Sequence, residues 1–141
     1  MNPGALRALE FDRIVAAVRS FAITPTGRAR LGGLHPLVDA KQVQEALAAT
    51  TETVRYLESQ PVFPLRAPED LEEVLELLGI AGRPLEPARL LALADYLESI
   101  ESAAHAVGRA PGHFPRLSAI VDRVAGFRDE ILQVFRRFLA A

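Results

Sequence analysis

Gly27-Arg28-Ala29-Arg30-Leu31-Gly32 has the Gly-x-x-x-x-Gly spacing that opens a phosphate-binding loop. Such a loop wraps backbone N–H groups around a nucleotide's phosphates and needs Lys, then Ser or Thr, directly after the second glycine. Gly33 and Leu34 stand there instead, and no strand-like run leads into the motif. The full stretch GRARLGGLHPLVD, Gly27 to Asp39, reads better as a helix end, a turn and a new helix start. Gly32, Gly33, Pro36 and Asp39 are then a structural joint. Glycine can close a helix in the left-handed conformation, Pro36 keeps the linker extended, and Asp39 caps the next helix.

The remaining reactive residue types lack catalytic spacing. His35, His105 and His113 have no partner at metal-ligand spacing, and no His-Glu-x-x-His occurs. Glu69, Asp70, Glu72, Glu73 and Glu76 form an acidic run. A solvated helix start, where carboxylates meet the positive end of the helix dipole, explains it better than a divalent-metal cage. Ser20, Ser59, Ser99, Ser102 and Ser118 have no nucleophile-elbow setting. Arg128, Arg136 and Arg137 are the candidates for contact with a nucleic-acid backbone, Arg128 and Arg136 lying on roughly one helical face. The same arginines fit a solvated helix on which they pair with Asp129 and Glu130. Arg123, Arg128 and Glu130 also resemble, faintly, the arginine-lined sites of the intertwined helical chorismate mutases. The lysine and the N-terminal arginine pattern of those sites are missing. The chain is expected to hold no catalytic, cofactor-binding or metal-binding residue, and no pocket in which Arg and Glu side chains converge.

Composition agrees with a packed domain. The 141 residues are 50% hydrophobic and 24% charged, with a net charge of −2. That suits one globular unit rather than a disordered chain. The absence of cysteine excludes a disulfide frame and a thiolate metal site. Charges at Arg7, Glu10, Asp12 and Arg13 argue against a signal peptide, and no apolar run could span a bilayer. A cytoplasmic location is expected. Of the 16 basic residues only Lys41 is lysine, which reflects base composition more simply than phosphate binding. No segment is basic enough to bind nucleic acid by charge alone.

Periodicity and punctuation predict helices almost throughout. One over residues 5–21 aligns Phe11, Ile14, Val15, Val18 and Phe21. Thr24-Pro25 starts a short helix ending at Gly32-Gly33. Asp39 and Gln42 have capping-box spacing, with Val38 and Val43 placed as a hydrophobic staple. The helix that follows carries Val43, Leu47, Thr50, Val54 and Leu57 at alternating spacings of four and three, a narrow coiled-coil-like seam between buried rods. Residues 59–67 contain two prolines and read as an extended loop with Val62, Phe63 and Leu65 turned inward. Helices are expected from Pro68 to Gly79, from Pro87 to Val107, and as one last long helix from Phe114 or Pro115 to the end. The expected fold is all-α: a bundle of about five to six helices with short Pro/Gly joints. It is read as a single helical domain over 1–141, with a helical core at 1–107 and the start of a long, lever-like helix at 113–141. That last helix lacks a stop signal, so the chain reads as a fragment of a longer one.

Three stretches carry a family resemblance: ALEFDRIVAAVRSFAITPTGRARL (5–31), GRARLGGLHPLVDAKQVQEALAATTETVRYLE (27–58) and PVFPLRAPEDLEEVLELLGIAGRPLEPARLLALADYLES (61–99). Their order resembles the N-terminal region of the MutS-like family, in its second bacterial branch. The first looks like that branch's Leu-Glu-Phe helix and glycine-led helix, the second its "Pro, Asp, long helix with Thr-Glu" segment, and the third its Leu-x-Pro helix start. After Phe63 the chain departs from the family pattern, with Pro64 and a shifted Glu69-Asp70.

The resemblance implies that this region is a non-catalytic helical core, joining an ATPase to a lever and clamp arm. The parent would be a homodimeric DNA-binding ATPase that holds ATP and Mg at a phosphate loop well downstream. It would act in DNA repair and restrain homologous recombination at branched DNA, or bind stalled ribosomes and their rRNA. In many members it carries an Smr-type endonuclease domain. The partners implied are the rest of the parent chain, branched DNA or the ribosome, and a second parent subunit, with no membrane. The alternative is a stand-alone helical protein-interaction module, with a small all-α enzyme of chorismate-mutase type a more distant reading.

Overall fold

Helix starts fall where side chains can satisfy free backbone donors. Thr24 accepts a hydrogen bond from the Gly27 N–H at 3.0 Å, and Asp39 accepts one from the Gln42 N–H at 2.9 Å. Pro25, Pro87 and Pro115 occupy first helical positions, where a missing N–H costs nothing. The computed structural model describes residues 10–139, with side chains as far as Arg137. Among these residues there are seven helices: α1 (Phe11–Ser20), α2 (Pro25–Gly32), α3 (Ala40–Ser59), α4 (Leu71–Leu78), α5 (Pro87–Arg109), α6 (Pro115–Val121) and α7 (Arg128–Leu139). No strand occurs among them. The chain is an all-α bundle, as its periodicity predicts.

α5 is the spine. Its 23 residues bury Leu93, Ala94, Ser99, Ala103 and Val107, and it packs against α4, α6 and α7. Two small cores sit along it. Leu71 and Val74 of α4 close on Leu93, with Leu85, Tyr96 and Leu97 around them. Nearer the C-terminal end of α5, Val107 meets Phe114 and Tyr56, flanked by Leu117 and Val121. α1 lies on α2, α2 reaches α4, and α3 joins the body through α6.

Several expectations fail in informative ways. The seam of α3 faces solvent: Leu47 is 59% exposed, Val54 49% and Leu57 43%. Glu52 and Tyr56 are the buried residues of α3, at 7% and 1%, and they lie about half a turn around the helix from the seam. Neither α1 nor α2 buries a residue; Ile14, Val18 and Phe21 of the first stripe are exposed, while Phe11 and Val15 are half-buried. The joint is therefore real, but of the two rods it connects α2 buries no residue and α3 buries only Glu52 and Tyr56. Val38 is 80% exposed, so the staple on Val43 does not close, and Val62 is 75% exposed rather than tucked in. The expected lever-like helix is two helices, α6 and α7, interrupted by residues 122–127. Residues 5–9 of the expected first helix lie outside the described residues.

The joint's glycines differ in conformation from expectation. Gly33 has φ −89°, on the right-handed side, so the turn after α2 does not use glycine's left-handed freedom. Gly82 and Gly112 do, at φ +78° and +156°. A Cβ on Gly112 would also stand 2.8 Å from the Phe114 ring, so this turn admits glycine alone without rearrangement.

Candidate functional site

The joint was the strongest hint of chemistry in the sequence. Its amides are already used: the Gly33 N–H donates to the Arg30 carbonyl at 3.2 Å and the Leu34 N–H to the Leu31 carbonyl at 3.2 Å. A helix leads into it, and Gly33 and Leu34 stand where Lys and Ser or Thr belong. These residues do not fit a nucleotide's phosphates. Pro36 is half-buried in the linker, and Asp39 caps α3 as expected.

The built polar site of the molecule lies where α3 meets α6. Phe114, the N-cap of α6, offers no side-chain oxygen, and the missing acceptor comes from another helix. Glu52 Oε1 accepts the Arg116 N–H at 2.7 Å and the Leu117 N–H at 2.9 Å. Its second oxygen lies 3.5 Å from the Arg116 guanidinium. Desolvation, the largest single influence, pushes the Glu52 carboxyl up; the two N–H groups and Arg116 together outweigh it and hold the carboxyl below its ordinary range. Beside it the Tyr56 ring meets Phe114 edge-on at 5.5 Å and Phe63 at 6.3 Å. The Tyr56 hydroxyl is buried without a hydrogen-bond partner, and burial raises its pKa.

The same device recurs on α5. Glu101 Oε1 accepts the Phe127 N–H at 2.7 Å and so holds the start of α7. Ser99, fully buried, accepts the Arg66 N–H at 3.0 Å, and its hydroxyl proton lies within reach of the Arg66 and Tyr96 carbonyls. This pins the extended 60–68 segment onto the spine. Sequence reading passed over Glu52, Tyr56 and Glu101, and it met Ser99 only as a serine without a nucleophile-elbow setting. The Thr-Glu in the family-like second stretch, Thr51-Glu52, was the available signal for Glu52.

The acidic run is largely engaged by arginine. Arg28 forks onto Glu69 at 3.1 and 3.3 Å, and Arg89 bridges Glu73 at 2.8 Å and Asp70 at 3.2 Å. Hydrogen bonding and charge from these arginines lower the Glu69 and Glu73 pKa values. Among the described residues no group of three or more His, Asp or Glu could hold a metal.

Arg128, at the first position of α7, is exposed, as are Arg136 and Arg137 in its last turn. None of the three forms an ion pair among the described residues, including with Asp129 or Glu130. Contrary to expectation, Arg128 does share a crevice with a glutamate: Glu101, His105, Val121, Val124 and Gly126 line it as well. Glu101 is held there by its bond to Phe127, and Arg123 and Glu130 do not line the crevice. The set that suggested a chorismate-mutase site is not assembled. His35 and His113 are exposed, and the His35 ring sits 3.2 Å from the Gly33 carbonyl.

The sequence has similar counterparts among known proteins. The Endonuclease MutS2 of Thermotoga maritima is 26% identical over 131 residues, which is 93% of this chain. The chain is similar to part of the MutS2 proteins. The Acetivibrio thermocellus MutS2 is 28% identical over 72% of the chain, and that of Pediococcus pentosaceus 34% identical over 57%. The chain spans only 16%, 13% and 10% of the length of these three relatives. No protein-family model matches the chain, and no solved structure matches it. Among the described residues no helix is long and apolar enough to cross a membrane.

Proposed function

We propose that this chain is the helical core region of a MutS2-type protein, a scaffold that joins an ATPase to a lever and clamp arm and takes no catalytic part itself. The observation that carries the reading is the lopsided coverage of the similarity, 93% of this chain against 16% of the Thermotoga maritima relative. Such coverage is what one region of a large protein gives. The helices support it physically, since α1 and α3 leave apolar faces open for further packing.

On this reading the whole protein is a cytoplasmic homodimer that holds ATP and Mg outside this chain, in keeping with a joint that cannot take a nucleotide. It binds branched DNA in repair and restrains recombination, or binds stalled ribosomes, and an Smr-type nuclease completes it. Arg128, Arg136 and Arg137 supply contacts to a nucleic-acid backbone. Helices tied end to end by Glu52, Glu101 and Ser99 move as rigid bodies, so nucleotide-driven motion on one side reaches the nucleic-acid grip on the other.

Reading the gene past codon 141 tests this. An in-frame Gly-x-x-x-x-Gly-Lys-Ser/Thr a few hundred codons on is the expected result. A stop codon directly after Ala141 would sink the reading and favour the second one, a stand-alone helical interaction module. That second reading draws on the exposed stripe of α3.

A further inference from the structure

Residues 10–33 hold together well and are held by the rest of the chain lightly. α1 packs on α2, and in the turn between them the Phe21 and Ala22 N–H groups donate to the Val18 and Arg19 carbonyls at 3.2 and 3.1 Å. The Arg19 side chain runs across Gly32, where a Cβ would stand 3.5 Å from its Nε. Toward the body the picture reverses. Of the other helices only α4 meets this pair, through α2, and neither α1 nor α2 buries a residue. Among the described residues, the fork of Arg28 onto Glu69 at 3.1 and 3.3 Å is the only hydrogen bond or ion pair that ties residues 10–33 to residues 40–137.

The two sides of that contact carry opposite charge. Arg13, Arg19, Arg28 and Arg30 stand against Glu10 and Asp12 on one side, while residues 69–78 hold five carboxylates and no base. Arg89 of α5 engages Asp70 and Glu73, which fixes α4 to the spine and leaves Glu69 to receive Arg28. The covalent link is as loose as the contact. Residues 35–38 make no backbone–backbone hydrogen bond, Val38 is exposed, and α3 beyond them touches neither α1 nor α2.

We propose that residues 10–33 are a hinged limb, which swings as one piece about residues 35–38 when the Arg28–Glu69 latch parts. Nothing inside the limb has to break for this, because its turn and caps are its own. An exposed ion pair contributes little, so the closed and open arrangements differ by a small factor and ionic strength moves the balance. The attraction of a basic limb for an acidic helix start returns it to the same seat. The latch rests on residues of this chain alone, so its failure leaves the proposed function standing.

The chain lacks cysteine, so two introduced cysteines can carry spin labels without interference. Ser20→Cys on α1 with Glu98→Cys on α5, both exposed positions, reports limb against spine by dipolar distance measurement. The labelled chain should show a main, closed distance at low salt and a minor, broader one. Arg28→Met and Glu69→Ala should each raise the open-to-closed ratio about two- to fivefold, and the double variant no further, since each removes the same pair. Salt at about 1 M should open the unsubstituted latch to the same extent and add nothing to Glu69→Ala. Glu72→Ala takes a charge from the same acidic run but breaks no ion pair among the described residues, and should leave the ratio unchanged. A Ser20→Cys/Ala29→Cys pair within the limb should keep its distance throughout. A limb-to-spine distance unmoved by Arg28→Met, Glu69→Ala and salt would overturn the proposal, as would additive effects in the double variant. Broadening of the distance within the limb would overturn it too, by showing that the limb melts rather than swings.

Discussion

Glu52 shows how one carboxylate can replace a missing cap. The first N–H groups of a helix have no internal partner, and α6 borrows Glu52 to satisfy two of them. Glu52→Ala should therefore lower the melting temperature by about 5–10 °C, and Glu52→Gln by less, since the amide oxygen still accepts. The pH dependence has a definite sign. The folded-state pKa of Glu52 is depressed, so its contribution is present above the unfolded value and is lost as pH falls through the folded one. Acid titration of the melting temperature should show a loss setting in below about pH 4.5 that is shallower in Glu52→Gln. Tyr56 is the opposite case. Its buried hydroxyl has no partner, a situation that costs about 1–3 kcal/mol. Tyr56→Phe keeps the ring packing on Phe63 and Phe114 and should leave stability unchanged or raise it by about 1 kcal/mol in urea unfolding.

Among the elements, α5 and α3 answer to different rules. α5 is wrapped by α4, α6 and α7, and its Leu93, Leu97, Ile100, Ala104 and Val107, which recur at alternating spacings of four and three, are half-buried or buried. Leu71→Ala on α4, facing Leu93 in the core, should cost about 2–4 kcal/mol in chemical unfolding. Leu47→Ala, on the open stripe of α3, should cost under about 0.5 kcal/mol under conditions where the chain is monomeric. Equal losses at the two sites would mean that the stripe is covered within the single chain. Both helices carried the same spacing signal in the sequence. Periodicity reports that a helix has an apolar face, but not what that face meets. The break between α6 and α7 was hidden for a related reason. Residues 122–127 hold only Gly126 as a punctuator, and the new start depends on Glu101, which lies 26 residues before the Phe127 it binds.

As a whole molecule the chain is a spine with limbs rather than a closed core. The α1–α2 pair is joined to the rest where α2 meets α4, beside the Arg28–Glu69 ion pair, and exposed ion pairs of this kind contribute only about 0–1 kcal/mol. Limbs held this lightly suit a region completed by other packing, and they suit the MutS2 relationship. The arginines of α7 set the expectation for nucleic acid. The isolated chain should bind branched DNA weakly, with affinity falling steeply as salt rises, because the contacts are to phosphate. Fluorescence anisotropy across a salt series checks this; tight, salt-insensitive binding would mean that the grip lies elsewhere than at Arg128, Arg136 and Arg137.

What the sequence settled on its own was local: that the chain is helical, where Thr24 and Asp39 start helices, and that Gly32-Gly33-Leu34 turns the chain between two helices. These follow from neighbours within a few residues, whose backbone donors and side chains meet whatever the rest of the chain does. The order of these local signals also sufficed to show the family resemblance. Only the tertiary structure decided which face of α3 is buried, that Glu52, Glu101 and Ser99 tie distant segments together, and that the last helix is two. Each of those depends on groups brought together from 26 to 65 positions apart. No local periodicity encodes such meetings.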